Sequence, residues 1–156
     1  MRPTACVAAA LVSIALFSCR ASAPVAESTP ESSMLRVLAA DEDAGAVRNE
    51  VPHAAPVAQA VRDYVKDLDA LDYEGCPADF VAAFRTHRDA WVLMGEYLEP
   101  FGDLRGEMHD VFDRIGVDSN PTAGEFQRLL GDVWSTWGEV ETSLARHGVE
   151  VASAGG

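Results

Sequence analysis

Residues 77–98 read PADFVAAFRTHRDAWVLMGEYL, and this stretch decides the fold. Its large side chains recur at alternating steps of four and three residues, a spacing that places them on one face of an α-helix. Pro77 suits the first helical turn, and Pro100 ends the helix because proline cannot continue its hydrogen bonding. The apolar stripe consists of Phe80, Phe84, His87, Trp91, Met94 and Leu98.

Three other stretches carry the same spacing. The first runs from Val57 to Leu71, the third from Leu104 to Ile115 and the fourth from Phe126 to Leu144. No stretch alternates at period two for long enough to indicate a strand. The sequence therefore predicts an all-α protein, a small antiparallel bundle of about four helices.

The ends of the last two helices have their own signals. Gly116 is expected to be the C-cap of the third helix, and Gly148 to end the fourth, because glycine readily adopts the left-handed conformation found there. Thr122 and Glu125 are spaced as a capping-box pair at the start of the fourth helix.

The predicted bundle occupies residues 54–148. Residues 19–53 are rich in Ala, Pro, Ser and Glu, a composition that buries too little apolar area to offset chain entropy. They are expected to form a flexible tether. Residues 34–40 could form a short helix, but the acidic residues 41–43 and Gly45 interrupt it, so this segment stays unassigned. Residues 149–156 are expected to be a disordered tail.

The amino terminus carries an export pattern. Residues 5–17 (ACVAAALVSIALF) are apolar except for Ser13. This length of about 13 residues suits a secretory signal and falls short of the roughly 20 that span a bilayer. The run closes with Leu16-Phe17-Ser18-Cys19, which resembles the signal of bacterial lipoproteins. The resemblance implies removal of residues 1–18, a diacylglycerol thioether on Cys19, and a membrane anchor.

Other interpretations of this segment remain open. Ordinary secretion would cut after Ala21-Ser22-Ala23, and a spanning helix is a further alternative. Without a lipid on Cys19, a disulfide between Cys19 and Cys76 becomes possible. In the sorting rule of enteric bacteria, an aspartate directly after the lipidated cysteine retains a lipoprotein at the inner membrane. Arg20 occupies that position here. The lipoprotein interpretation therefore favours the outer membrane, with the protein facing the periplasm.

The net charge of the chain limits the classes of partner that it is expected to bind. The chain has 25 acidic and 12 basic residues, a formal net charge of −13. Nucleic-acid binding is not expected, because its affinity comes from cationic side chains that meet phosphates. Adhesion to anionic lipid through a basic patch is not expected either.

Two residues are candidates for chemistry. His87 is central in its stripe and is either a ligand for metal or haem or a core histidine with polar partners. Inward-facing Met94 and Met108 would be the other haem ligands. Cys76 precedes a helix start, where the dipole can lower a thiol pKa and create a nucleophile. No C-x-x-C-H motif is present and the histidines are scattered, so no cofactor and no metal site are expected.

A glycine row marks the fourth helix. Gly124, Gly131 and Gly138 recur every seven residues, and we expect the row to lie beside the core stripe, with Trp134 on its far side. Such a row lets another backbone approach closely. The occupant is either a neighbouring helix of the same bundle or a partner helix or second copy, since exposed aromatic residues mark interfaces.

The run Cys76-Pro77-x-x-Phe80-x-x-Ala83-Phe84-x-x-His87-x-x-Ala90-Trp91 resembles a segment of small uncharacterised bacterial exported proteins. The resemblance implies no particular activity.

The sequence as a whole predicts a lipid-anchored cell-envelope protein that is a non-catalytic binding or structural module with a protein partner. The alternatives are a bundle that binds a small ligand, metal or haem through His87, and a thiol-dependent enzyme at Cys76. The oligomeric state stays open.

Overall fold

The computed structural model describes residues 29–117 and 123–150. These residues form an antiparallel helical bundle and contain no strand. Short 3₁₀ turns follow the first and third helices, at Val51–His53 and Glu99–Phe101. The five helices are α1 (Pro30–Glu50), α2 (Val57–Asp69), α3 (Ala78–Leu98), α4 (Met108–Val117) and α5 (Ala123–Arg146).

Helix α3 is central to the bundle and packs against both α2 and α5. Every member of its predicted stripe is buried, from Phe80 to Leu98. Asp79 lies in its first turn, where a carboxylate stabilises the positive end of the helix dipole. The helix gives way to the 3₁₀ turn that contains Pro100. The prediction of this helix is confirmed.

Cross-helix contacts fix the directions of the helices. Asp41 meets Tyr64, and Arg36 meets Asp72, so α1 and α2 run in opposite directions. Arg62 with Glu99 and Arg88 with Asp69 show the same for α2 and α3. His87 with Thr136 and Asp79 with Ser143 do so for α3 and α5. The order is therefore α1, α2, α3, α5, each antiparallel to the one before, with α4 packed on α5.

The tether prediction was wrong from residue 30 onward. Thr29 caps α1 by accepting a hydrogen bond from the backbone N–H of Ser32, and Pro30 fills the first turn. Met34 and Val37 are fully buried against the bundle. The acidic residues 41–43 do not break the helix because only Asp41 turns towards a neighbouring helix, where Tyr64 donates a hydrogen bond to it. Residues 19–28 lie outside the described part of the chain.

The folded region extends one residue beyond its predicted end at Gly148, to Val149. Gly148 has φ of +75°, and its N–H donates to the carbonyl of Ala145. The N–H of Val149 donates to the carbonyl of Leu144 at 3.0 Å. Together these bonds form a Schellman motif. Val149 and Leu144 are both buried, so residue 149 belongs to the core and not to a tail.

Helix α4 is shorter than predicted at its start, because Leu104 lies in the segment before it. Gly116 lies inside α4 and does not cap it. A Cβ at Gly116 would come 2.6 Å from Gln127 Nε2, the end of a flexible side chain, and 3.8 Å from Phe126 Cε1, so the residue lies against α5. The predicted capping role of Thr122 falls outside the described residues.

Within the described ranges, no helix combines the length and the apolar character needed to cross a membrane.

Candidate functional site

His87 is buried between α3 and α5. Its Nδ1 lies 3.1 Å from Thr136 Oγ1, and its Nε2 accepts a hydrogen bond from Trp91 Nε1 at 3.1 Å. Thr136 Oγ1 itself donates to the backbone carbonyls of Asp132 and Val133 in its own helix. Because the single hydroxyl proton of Thr136 points to those carbonyls, we assign the imidazole proton to Nδ1, which donates a hydrogen bond to Thr136 Oγ1.

This arrangement describes a neutral histidine with both ring nitrogens engaged. Burial, together with the nearby positive charge of Arg48, lowers the pKa of His87 to about 4. A metal or haem iron needs a nitrogen lone pair, and here the lone pair on Nε2 accepts the indole N–H of Trp91. Met94 and Met108 are buried in the core, as the haem hypothesis required. The geometry around His87 favours a structural polar contact.

A second polar group links α1, α2 and α3. The sequence does not predict it, because the residues of α1 have the composition of a tether. The guanidinium of Arg48 lies 4.4 Å from the ring centre of Tyr64 and 4.3 Å from that of Trp91. These two rings meet edge to face at 5.3 Å. Cation–π contacts of this kind gain strength when they are removed from water. The Tyr64 hydroxyl donates to Asp41 Oδ1 at 2.6 Å.

Burial governs the ionisation of this group. It raises the pKa of Asp41 above its usual value, although the hydrogen bond from Tyr64 and the charge of Arg48 oppose the rise. It also raises the pKa of Tyr64, and the neighbouring Asp41 charge adds to the rise. A raised carboxyl pKa means that part of the cost of dehydrating Asp41 is uncompensated. The helix seam at this point is therefore polar, tightly contacted and partly dehydrated.

The bundle is left open along one side. Helix α1 packs on α2, and α5 packs on α3 and α4, but α1 and α5 meet only marginally. Between them lies a groove of about 810 Å³, which we call the α1–α5 cleft. Its apolar lining comes from Leu35, Leu38, Ala39, Ala46 and Trp137, and its charged lining from Asp41, Glu42, Arg48 and Glu150.

The lining of the α1–α5 cleft mixes apolar and charged side chains, and we call its exposed carboxylates, Glu42 and Glu150, the rim. Trp137 is half-buried and packs on His87, with ring centres 5.3 Å apart. Leu35 keeps 46% of its surface exposed. Glu42 and Glu150 are exposed. The cation of the lining, Arg48, is already stacked on the rings of Tyr64 and Trp91.

The glycine row of α5 faces solvent. Gly131 is five positions beyond the core residue Phe126, about 140° around the helix from it. A Cβ at Gly124, Gly131 or Gly138 would meet nothing within 4 Å. The expectation that the row lies beside the core was therefore wrong, and no helix of the bundle fills it. Trp134 is 65% exposed and lies one turn before Trp137 on α5.

Cys76 lies in the turn before α3 and is partly buried with a free thiol. Its N–H donates to the carbonyl of Tyr73. Burial raises the pKa of the Cys76 thiol, and the nearby charge of Arg36 offsets this only in part. A raised pKa disfavours the thiolate, which is the nucleophilic form. His87 belongs to the core network and is not a base for this thiol.

Asp79 connects the start of α3 to the end of α5. Its carboxylate accepts from His147 Nε2 at 2.9 Å and from Ser143 Oγ at 3.2 Å. The His147 hydrogen bond is the main reason why the pKa of Asp79 is held below its usual value. The acid lies between serine and histidine in this trio, so the histidine is not placed to activate the serine. The contact is a structural clasp.

Comparison with known proteins identifies no relative of this chain. Family models, curated proteins and solved structures give no match to this chain. No group of three or more His, Cys, Asp or Glu side chains is placed to hold a metal ion in residues 29–117 and 123–150. The Leu16-Phe17-Ser18-Cys19 motif, and with it the proposed lipid site, lies outside the described residues.

Proposed function

We propose that this protein is a non-catalytic binding module of the bacterial cell envelope, anchored by lipid on Cys19 and facing the periplasm. The observation that carries the binding role is the α1–α5 cleft, where a four-helix arrangement leaves one seam unclosed and apolar. An apolar surface of this kind, bordered by charged residues, is typical of an interaction site. Trp137 in its lining is a residue type enriched at interfaces.

The use of the polar residues supports binding over chemistry. His87 spends both ring nitrogens on contacts that join α3 to α5. The Cys76 thiol has a raised pKa, which disfavours the thiol-enzyme alternative. The metal or haem alternative at His87 is disfavoured because a ligand would have to displace the Trp91 hydrogen bond.

The anchor rests on the sequence pattern. A short apolar segment ending in Leu16-Phe17-Ser18-Cys19 supports diacylglycerol attachment. Two acyl chains suffice for stable anchoring, whereas one does not.

Replacement of Cys19 tests the anchor. Cys19→Ser is expected to move the protein from the membrane fraction to the soluble periplasmic fraction, because the acylated atom is gone. Cys76→Ser is the matched control and is expected to stay with the membrane. Mass spectrometry of the amino-terminal peptide would show the added lipid directly. A wild-type amino-terminal peptide that carries no lipid on Cys19 would contradict the proposed anchor.

Site-specific crosslinking tests the binding role. A photoreactive amino acid at Leu35, in the α1–α5 cleft, is expected to capture a defined protein in intact envelopes. The same group at Leu93 is the control, because Leu93 is 47% exposed and lies in a different groove, between α3 and α5. Equal capture at both positions, or none at Leu35, would contradict a binding role for the cleft.

A further inference from the structure

We infer that the α1–α5 cleft receives an amphipathic helix of a protein partner, one whose apolar stripe is flanked by lysine or arginine. This inference rests on the proposed binding function and names the class of partner. It combines two observations, the missing seam of the bundle and the acidic border of the groove.

The geometry of the seam fits a helix. Helices α1 and α5 are the two ends of the antiparallel order, where α1 packs on α2, and α5 packs on α3 and α4. The lining of α1 extends from Leu35 to Asn49, about 21 Å at 1.5 Å per residue, or about four helical turns. Leu35, Leu38 and Trp137 provide the apolar contacts for the stripe of such a helix. Amphipathic helices bind grooves of this kind through residues spaced three and four apart.

The charges identify the flanks of the partner. Asp41, Glu42 and Glu150 line the cleft, against the single cation Arg48. The guanidinium of Arg48 is stacked on Tyr64 and Trp91, and Asp41 already accepts the hydroxyl of Tyr64. The charged groups left for a partner are therefore Glu42 and Glu150 at the rim. The whole chain has 25 acidic and 12 basic residues, which extends the negative field beyond the rim. A basic partner is therefore attracted at long range and oriented on contact.

The same charges disfavour the other occupants. The acidic headgroup of a fatty acid or anionic lipid would meet Glu42 and Glu150. A second copy of this chain in a two-fold dimer would bring the same acidic rim against itself. Like charges placed together across an interface cost affinity.

Peptide binding to the full chain tests the inference. The protein is placed in phosphatidylcholine nanodiscs, with empty discs as the blank, and surface plasmon resonance measures binding of a helical 16-residue peptide with a leucine stripe and lysine flanks. Leu35→Lys is expected to weaken binding about tenfold, because it removes apolar contact and adds repulsion. Leu93→Lys, with a leucine of matched exposure elsewhere, is expected to leave binding unchanged. Circular dichroism confirms that both variants are folded.

Two changes isolate the charge component. Glu42→Lys is expected to weaken binding of the basic peptide about fivefold without loss of apolar surface. The same peptide with glutamate flanks is expected to bind at least tenfold more weakly to the wild-type protein. Added salt is expected to reduce the affinity of the lysine peptide, since screening acts on exposed charges.

Four results would overturn the inference. They are equal binding of the lysine and glutamate peptides, equal effects of Leu35→Lys and Leu93→Lys, a stable dimer that Leu35→Lys dissociates, and tighter peptide binding after deletion of residues 151–156. The last two would assign the cleft to a second copy or to the chain's own end. If one of these results occurs while crosslinking at Leu35 still captures a partner, the binding function stands and only its basic-helix assignment falls.

Discussion

At the scale of single residues, His87 shows how a buried polar group holds helices together. Its two ring nitrogens join α3 to Thr136 on α5 and to the indole of Trp91. The sequence predicts that this residue points inward, because it sits within an apolar stripe. The identity of its partners depends on which helices meet, and that is a tertiary fact which spacing along one helix does not contain.

His87 is expected to make the protein less stable in mild acid. The folded-state pKa is about 4, below the usual value of 6.5. Below pH 6.5 the imidazole of His87 binds a proton in the unfolded chain but stays neutral in the folded chain. The free energy of unfolding therefore falls until the pH reaches about 4. At about 1.4 kcal/mol per pH unit, the loss from this residue approaches about 3 kcal/mol. The contribution is complete above pH 6.5.

Urea unfolding of wild type and His87→Gln at several pH values between 7 and 4 measures this loss. The glutamine variant does not titrate here, and its stability is expected to vary less with pH in this interval. The difference between the two proteins removes the background from carboxylates such as Asp79, which titrate in both. Identical pH dependence of the two proteins would contradict the role given to His87.

At the scale of elements, α1 is the helix that the sequence did not predict. Its buried positions include Ser33 and Ala44 beside Met34 and Val37, so the apolar stripe is weak and is mixed with small and polar residues. The four other helices have strong stripes of large residues, and all four were predicted. A helix whose stability comes from packing on its neighbours leaves little trace in its own sequence.

Adjacent substitutions in α1 test whether it belongs to the cooperative fold. Met34→Ala is expected to lower the free energy of unfolding by about 2–5 kcal/mol, because it removes a fully buried side chain and leaves a cavity. Leu35→Ala, one position along and half-exposed, is expected to cost about 1 kcal/mol or less. Urea unfolding compares the two. If residues 30–50 were a tether, neither change would alter stability.

The glycine row in α5 supports an opposite prediction. Gly131→Ala is expected to raise the free energy of unfolding by about 1 kcal/mol, because alanine favours the helix and its Cβ meets nothing within 4 Å. Gly95→Ala in α3 is the contrast, since its Cβ would come 3.3 Å from Val61 Cγ1. Thermal unfolding of both variants distinguishes the positions. A loss of stability on Gly131→Ala would mean that the row is covered in the folded monomer.

At the scale of the whole molecule, polar and aromatic contacts connect four helices in series. They run from Asp41 through Tyr64 and Trp91 to His87 and Thr136. Helix type and antiparallel order could be predicted from the stripes and the short connections. The open seam could not, because it arises from an arrangement in which α1 and α5 have little contact, and no single stripe encodes how two distant helices meet.

This continuity predicts a single unfolding transition for the bundle. Calorimetry of the unanchored Cys19→Ser variant is expected to give equal calorimetric and van't Hoff enthalpies, because α1 shares its core and its polar contacts with the other helices. A separate low-temperature transition, absent from a variant that lacks residues 30–50, would show instead that α1 unfolds on its own.

The half-buried indole of Trp137 in the lining of the α1–α5 cleft also gives the protein an intrinsic optical reporter. The chain has three tryptophans, and they occupy three environments: Trp91 is buried, Trp137 is half-buried and Trp134 is open to water. Acrylamide should quench the red-edge emission of Trp134 first, whereas Trp91 should emit at shorter wavelength. An occupant of the cleft would shield Trp137, which lines it, and shift the spectrum to the blue. The native chain can thus signal occupancy without any label.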